Sequence, residues 1–164
     1  MTLDELNAAP DDALTPLLLA CCDVPAWAAA VRDGRPYADV STVLDAADNA
    51  ARRFSAEDVE RALAAHPRIG EPPAGTGTEA AWSRQEQSGV AQDVGTRQRL
   101  VDANRAYEER FGRVFLICAS DRSADQVLDA LQQRLCNDEA TEAAVVADEL
   151  RKIALVRLRK VLEQ

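Results

Sequence analysis

Arg113-Val114-Phe115-Leu116-Ile117-Cys118-Ala119 is the one strand-like run in this sequence, and it decides the fold class. A lone strand has no partner with which to build a sheet. We therefore expect this run to lie as a short extended segment buried between helices, where its amide and carbonyl groups are available to a polar ligand. Helical patterns fill the rest of the chain, which predicts an all-α protein.

Start signals for helices recur along the chain. Thr2 and Ser55 open capping-box patterns, and Ser123 is a good N-cap before an apolar periodic run. The chain shows no internal repeat and no stretch with the composition of an interdomain linker. We predict one domain over residues 1–164, a bundle of about eight helices with short connections. The predicted helices begin at or beside Thr2, Asp11 or Asp12, Pro25, Asp39, Ser55, Thr78, Thr96, Ser123, and Asp138 or Glu139.

Composition and charge exclude several classes of protein. The 164 residues include 19 Lys and Arg against 28 Asp and Glu, a net charge of −9. Such a chain repels the phosphate backbone, so we expect no nucleic-acid partner. The longest apolar runs, such as residues 17–22, are too short to cross a bilayer, and the first residues lack the basic region of a signal peptide. We expect a soluble cytoplasmic protein with no membrane partner.

The four cysteines do not indicate a metal site. Cys21, Cys22, Cys118 and Cys136 form no CxxC pair, and the chain has a single histidine. We interpret them as small buried hydrophobic residues in a reducing compartment. A catalytic role for Cys118 is the alternative, but its apolar neighbours in sequence would raise the thiol pKa and lower its reactivity.

His66 is the only imidazole in the chain and so the only side chain with an ordinary pKa near neutrality. Pro67 disfavours helical backbone at residue 66, so the helix that starts at Ser55 should end at Ala65. His66 would then project from a helix terminus. On spacing alone this position favours a structural role, in which the histidine bonds to the last free carbonyl groups of the helix.

Two further polar groups interrupt the apolar pattern. Ser83, Glu86 and Gln87 share one helix face by their spacing, which is typical of a binding surface or of an ordinary solvated face. Arg122 could bind a carboxylate or a planar amide through its fork of donors, or it could simply face solvent before the N-cap Ser123. Spacing does not choose between these alternatives.

Several motifs occur in a particular order and separation over nearly the whole chain: Leu3–Asn7, His66-Pro67-Arg68-Ile69-Gly70, Ser83–Gly89, Asn104-x-x-Tyr107-x-x-x-Phe111-Gly112, Phe111–Ser123 and Glu149–Leu158. Together they resemble the 2-oxo-4-hydroxy-4-carboxy-5-ureidoimidazoline (OHCU) decarboxylase family. Two departures from the family pattern stand out. Asp121 occupies a position where a small residue, often glycine, is usual, and Arg68-Ile69-Gly70 replaces the commoner acidic-apolar-alanine run.

This resemblance implies an all-helical enzyme that converts the unstable imidazoline formed from urate into S-allantoin and carbon dioxide, without a metal or organic cofactor. It implies that His66 is the catalytic histidine and that Glu86 is its acidic companion. His66 would act on the substrate hydroxyl proton or orient the leaving carboxylate, while Glu86 would fix its tautomer or bind ureido N–H groups. The implied substrate-binding positions are Pro67, Ser83, Gln87, Arg122 and the backbone of Leu116, Ile117, Cys118 and Ala119.

The expected partners of the chain depend on whether it is an enzyme or a binding module. An enzyme needs only its small-molecule substrate, and the resemblance allows a homodimer, for which Ile153, Val156 and Val161 of the last helix could supply a face. The rival interpretation is a non-catalytic, acidic helical module that docks a partner protein, with His66 as a plain helix terminus. Only the enzyme requires turnover that depends on His66.

Overall fold

A computed structural model describes residues 1–71, 76–88 and 94–163. These residues form nine α-helices and no β-strand, which confirms the all-α prediction. The sequence also predicts a surface loop over residues 68–77, because its prolines and glycines cannot continue a helix. Residues 72–75 of that loop lie outside the described residues, as does Gly89. The helices are α1 (Leu3–Ala8), α2 (Asp11–Cys21), α3 (Pro25–Asp33), α4 (Val40–Ala51), α5 (Ala56–Ala64), α6 (Thr78–Glu86), α7 (Val94–Phe111), α8 (Ala124–Arg134) and α9 (Glu139–Leu162).

The chain divides into two compact units, and α9 contributes residues to both. Unit 1 comprises Met1–Ala65 and Leu150–Gln164, and unit 2 comprises His66–Glu149. The prediction of one domain over residues 1–164 therefore stays a prediction. Every residue that the sequence singles out for catalysis or substrate binding belongs to unit 2.

Unit 1 buries an aliphatic core where α2 packs on α3 and α3 on α4. The last stretch of the chain is tied to the first by polar contacts. Arg151 pairs with Asp48 of α4, and the terminal amine of Met1 donates to the carbonyl oxygen of Val161 at 3.0 Å. Among the buried residues of this unit are Leu6, Leu14, Leu18, Trp27, Val31, Val43, Ile153 and Leu158.

The capping boxes are where the sequence locates helix starts correctly. The side chains of Thr2, Ser55 and Ser123 each accept a hydrogen bond from the N–H three residues later, and the third residue's side chain accepts from the cap's own N–H. Asp138 caps α9, since its Oδ1 accepts from the N–H of Thr141 at 2.7 Å. These starts are local chemistry, so the spacing alone predicts them.

Two other predicted starts lie within one residue of the observed ones, but the residues that mark them do not cap their helices. Neither Asp11 nor Asp12 caps α2: the helix starts at Asp11, with Pro10 in the cap position and no side-chain cap. Because the two carboxylates lie in the first turn, they still face the positive end of the helix dipole. The predicted cap of the sixth helix, Thr78, is instead its first residue and follows Gly77.

The predicted start of α7 differs most from the observed one. This helix begins at Val94 rather than at Thr96, so Gly95 lies inside the helix. Glycine lowers helix propensity by about 1 kcal/mol but does not forbid a helix. A single interior glycine is therefore not a dependable helix stop.

Unit 2 is built around a second apolar core where α7 packs on α8. The extended run lies against this core, with Phe115, Leu116, Ile117 and Ala119 at 1%, 4%, 6% and 5% exposure. Residues 114–119 are neither helix nor strand, so the prediction of a buried extended segment is confirmed. The remaining core residues are Ile69, Leu100, Tyr107, Val127, Leu128 and Leu131.

Two expectations about surface and burial need correction. Cys136 is exposed and Cys118 is half-buried, so only Cys21 and Cys22 are the fully buried small residues that were expected. Ile153 and Val161 are each 5% exposed and belong to the interior of the protein. The homodimer stays a prediction, without those two side chains as its face. Among the described residues, no helix combines the length and the apolarity needed to cross a membrane.

Candidate active site

His66 lies directly beyond the end of α5, as the sequence predicts. The helix ends at Ala64, with Ala65 in the cap position. The histidine is half-buried, and its Nε2 atom is buried from solvent. Pro67 is also half-buried. An imidazole with one shielded nitrogen is suited to exchanging a proton with a bound molecule rather than with bulk water.

The backbone after His66 is held by side chains from two helices. Asn104 of α7 donates from Nδ2 to the carbonyl oxygen of Ile69 at 3.0 Å, and Oε1 of Gln87 accepts from the N–H of Gly70 at 2.9 Å. Gly70 has a φ of +84°, and a Cβ there would lie 3.2 Å from Cδ1 of Leu100. Glycine is therefore required both for the left-handed backbone and for the close packing.

An ion pair fixes the same segment from the outside. Arg68 contacts Glu108 of α7 with both arms of its fork, Nε to Oε1 at 2.5 Å and Nη2 to Oε2 at 3.0 Å. The guanidinium beside Glu108 holds the pKa of that carboxyl below its ordinary value. The departure at Arg68 from the family's acidic residue is thus matched by an acidic partner on α7.

Three polar residues at the end of α6, Ser83, Glu86 and the cap residue Gln87, are at least half-buried. Ser83 is 3% exposed, while Glu86 and Gln87 are half-buried, so the alternative of an ordinary solvated face is wrong for Ser83. The neighbouring Trp82 is buried, whereas Ala81 is exposed. Because Gln87 bonds to Gly70, its side chain also joins α6 to the segment after His66.

Arg122 follows the extended segment and is tied back to it. Its Nε donates to the carbonyl oxygen of Cys118 at 3.1 Å, and its N–H donates to the carbonyl oxygen of Ala119 at 3.0 Å. The side chain is half-buried rather than directed freely into solvent. Asp121 makes this turn with a φ of +65°, which explains why glycine suits the position.

The pKa of the Cys118 thiol reflects its burial and the charges of several elements. Its pKa is raised, chiefly by burial and further by the carboxylates of Glu149 and Glu86, while Arg122 and the N–H of Ser120 act in the opposite direction. The raised pKa agrees with the expectation of an unreactive thiol. Ser120 adds a buried Oγ that has no hydrogen-bond partner among the described residues. The surroundings of Cys118 therefore combine both charge signs with an available hydroxyl.

A buried polar network behind this segment was not predicted. Glu142 is 0% exposed and accepts from Nε and Nη2 of Arg134 at 2.8 and 2.6 Å, from Asn137 at 2.9 Å, and from the hydroxyl of Tyr107. Burial alone would raise the pKa of Glu142, but these hydrogen bonds outweigh it and lower the pKa. For Tyr107 the pKa is raised, by burial and by its bond to the carboxylate.

The signal for this network lies in the periodicity of α9. Glu142 and Glu149 fall on the same helix face as Val146, Leu150 and Ile153, all of them buried. A carboxylate within an apolar stripe must be paired, because burying an isolated charge is costly. The pattern therefore predicts that both carboxylates have buried partners.

A second candidate, a surface depression in unit 1, is less suited to chemistry. It has a volume of about 560 Å³, and its walls include Asp11, Arg32, Asp33 and Arg35. Arg35 already bonds to Asp11 at 2.5 Å, and Arg32 bonds to Asp33 at 2.7 Å. The opposite charges are thus satisfied by one another. No group of three or more His, Cys, Asp or Glu side chains able to hold a metal ion occurs in the described part of the chain.

Comparison with known proteins gives consistent matches. The chain matches the family model described as OHCU decarboxylase over residues 7–159. A 2-oxo-4-hydroxy-4-carboxy-5-ureidoimidazoline decarboxylase of Amia calva is 30% identical over 142 residues, which cover 85% of this chain and 81% of that protein. A uric acid degradation bifunctional protein of Arabidopsis thaliana is 28% identical over 144 residues, which cover 85% of this chain and 44% of that protein.

Solved structures share the fold. A crystal structure of OHCU decarboxylase in the presence of (S)-allantoin has a TM-score of 0.76 and 25% identity, covering 95% of this chain and 100% of that one. A crystal structure of (S)-allantoin synthase has a TM-score of 0.72 and 20% identity, covering 98% of this chain and 54% of that one. The resemblance drawn from the sequence motifs is confirmed: this chain belongs to the OHCU decarboxylase family.

Proposed function

We propose that this chain is a carboxy-lyase of urate degradation that converts 2-oxo-4-hydroxy-4-carboxy-5-ureidoimidazoline to S-allantoin and carbon dioxide. Family membership supports the reaction. The observation that carries the assignment to unit 2 is the return of Arg122 to the extended segment, where its Nε donates to the carbonyl oxygen of Cys118 at 3.1 Å. The Glu86 carboxylate is near enough to help raise the pKa of the Cys118 thiol. That arrangement offers a carboxylate, a cation and backbone amides to one small molecule.

The chemistry requires no external electron sink. When the bond between the ring carbon and the carboxylate breaks, its electron pair forms a C=C bond to the neighbouring C=N carbon. The C=N electron pair moves to the nitrogen, which takes up a proton. The resulting enol loses its hydroxyl proton and gains a proton at the former C=N carbon, which gives the ketone of allantoin. Chirality is set if that second proton arrives on one face only.

His66 is proposed as the group that exchanges protons with the substrate. Its ordinary pKa lies near neutrality, and its Nε2 is shielded from solvent. We propose that it acts on the hydroxyl proton or orients the carboxylate, with Glu86 fixing its tautomer or binding ureido N–H groups. Both residues lie in unit 2 and are half-buried, as residues that contact a bound substrate must be.

The remaining family positions are proposed to hold the substrate. Ser83 and Gln87 extend from the same helix face as Glu86, and Arg122 supplies a fork of donors for the carboxylate or for a planar amide. The other contacts would come from Pro67 and from the backbone of Leu116, Ile117, Cys118 and Ala119. Gln87 retains its amide nitrogen for this purpose, because its bond to Gly70 uses only Oε1.

The decisive experiment generates the substrate in place with urate oxidase and hydroxyisourate hydrolase. Loss of ultraviolet absorbance then reports turnover, and optical rotation reports whether S-allantoin is the product. We expect His66→Asn to lower kcat by about 10²–10⁴, the usual contribution of a general acid or base. A wild-type protein that neither accelerates the decay nor gives optically active product would refute the function.

A matched pair of variants isolates the role of the acidic companion. Glu86→Gln should lower kcat/KM by at least about tenfold, since it removes a charge from the site. Glu109→Gln is the control, because Glu109 is exposed on α7 in the same unit. Equal activity of the two variants would remove Glu86 from the mechanism. The rival acidic docking module predicts no turnover by any of these proteins.

We propose in addition that the enzyme works in the cytoplasm and does not bind nucleic acid. The support is the net charge of −9, which disfavours a polyanionic partner. Titration with labelled duplex DNA and RNA at low salt should therefore give no saturable binding. Saturable binding to either polymer would contradict this part of the proposal.

A further inference from the structure

The extended segment presents two chemically different edges. In extended backbone, the N–H and C=O groups of successive residues point to opposite sides. The carbonyl of Leu116 and the N–H of Cys118 therefore belong to one edge, and both backbone groups of Ile117 belong to the other. We refer to these as the 116/118 edge and the Ile117 edge.

Charged side chains occupy the 116/118 edge. Nη1 of Arg134 in α8 donates to the Leu116 carbonyl oxygen at 2.6 Å, and Oε2 of Glu149 in α9 accepts from the N–H of Cys118 at 2.8 Å. Arg134 is 7% exposed and Glu149 is 6% exposed, so water scarcely competes for these bonds. In a sheet, a neighbouring strand would supply the same pair of bonds.

The Ile117 edge lacks such partners. Within the described residues, neither the N–H nor the C=O of Ile117 takes part in a hydrogen bond, although the residue is 6% exposed. Buried backbone groups are almost always paired in folded proteins. The two groups of Ile117 offer a donor and an acceptor side by side, the complement of a planar amide with its own N–H and C=O.

The cation that holds the 116/118 edge is itself rigidly placed. Glu142 accepts from Arg134 through two nitrogens, and the guanidinium lies 4.5 Å from the ring centroid of Phe115. Such packing leaves the guanidinium little freedom to turn away from Leu116. The segment is thus fixed from behind by a cation and an anion on consecutive helices.

We propose that Glu149 and Arg134 are positioning residues that take the place of a neighbouring strand and thereby aim the Ile117 edge at the amide groups of a ureide or imidazoline ligand. Neither residue touches the ligand. The proposal rests on the proposed function for the identity of that ligand. It adds that recognition of the planar amide depends on the carboxylate of Glu149.

Two variants at Glu149 separate the hydrogen bond from the bulk of the side chain. Glu149→Gln keeps an acceptor for the Cys118 N–H, so KM should stay within about threefold of wild type. Glu149→Leu removes the acceptor, so KM should rise by at least about tenfold while kcat changes less than about threefold. Glu109→Leu, at an exposed position of the same unit, should change neither value.

A second measurement on the wild-type protein needs no variant to fold. Adding (S)-allantoin to ¹⁵N-labelled protein should shift the amide resonance of Ile117 more than that of Cys118, because the N–H of Cys118 is already held by Glu149 on the opposite edge. Unchanged KM in Glu149→Leu, or an unmoved Ile117 resonance at saturation, would overturn the proposal. In both cases an active wild-type enzyme would leave the proposed function intact, whereas an inactive wild-type enzyme would refute that function instead.

Discussion

Arg134→Leu removes the cation from the most deeply buried polar network of unit 2. In that variant Glu142 stays at 0% exposure but keeps only the hydroxyl of Tyr107 and the amide of Asn137 as donors. The carbonyl of Leu116 also loses its donor. Breaking a buried ion pair by removal of one partner costs about 3–5 kcal/mol, because the remaining charge is left without compensation.

The melting temperature should fall accordingly. For a protein of this length each kcal/mol corresponds to about 2–4 °C, so Arg134→Leu should lower Tm by about 6–20 °C. Glu142→Leu should cost a similar amount, since it leaves the guanidinium unpaired. The double variant buries no charge in this network. Its loss in unfolding free energy should therefore be about 3 kcal/mol smaller than the sum of the losses of the two single variants.

Urea denaturation followed by far-ultraviolet circular dichroism measures all four proteins, and the double-mutant cycle gives the coupling directly. A suitable control is Gln133→Leu, which changes an exposed neighbour on the same helix. Strict additivity of the two single losses would show that Arg134 and Glu142 do not stabilise one another. A loss below about 1 kcal/mol for Arg134→Leu would equally refute the reasoning, since that is the scale of an exposed pair.

Four further outcomes follow from the structure. Because the pKa of Glu142 is lowered from its ordinary value of 4.5, its carboxylate stabilises the fold at pH values above 4.5, and this stabilisation is lost as the pH falls. In Glu142→Gln the urea midpoint should therefore change less between about pH 3 and 6 than in the wild type. An equal pH dependence of the two midpoints would contradict this. Asp121→Gly should be neutral or stabilising by up to about 1 kcal/mol, whereas Asp121→Val should lose about 1–2 kcal/mol, as thermal melts would report. Arg122→Lys should raise KM about tenfold, because lysine lacks the paired donors of the guanidinium. An unchanged KM would show that Arg122 does not bind the substrate. Asn104→Leu, which removes the donor to Ile69, should lower kcat about tenfold with little change in secondary structure, and wild-type kcat would show that the segment after His66 needs no such anchor.

The sequence predicts helix starts well when one short motif contains all the chemistry. The boxes at Thr2, Ser55 and Ser123 satisfy their own backbone donors within four residues, so tertiary structure has little influence on them. The starts of α2 and α7 are less determined. Neither Asp11 nor Thr96 forms a closed local motif, and packing of the helix then decides where the first turn begins.

The candidate site rests on family motifs and not on spacing, and the roles of its residues stay predictions. His66 and Glu86 are ordinary residues of a helix end and a helix face until the family motifs connect them. Arg134 and Glu142 were missed for a different reason: charged residues on helices are usually exposed, and their pairing joins separate helices. Only the apolar stripe of α9 indicates that Glu142 points inward, and stripe position shows burial without identifying the partner.

Unit 1 is discontinuous along the chain, and this affects the order in which the two units fold during synthesis. Its first helices leave the ribosome long before Leu150–Gln164, the stretch that completes its interior. Unit 2 is one continuous stretch and has all its residues in place earlier. On stalled nascent chains, we expect unit 2 to become resistant to protease before unit 1. This order is the reverse of the usual progression from the amino terminus.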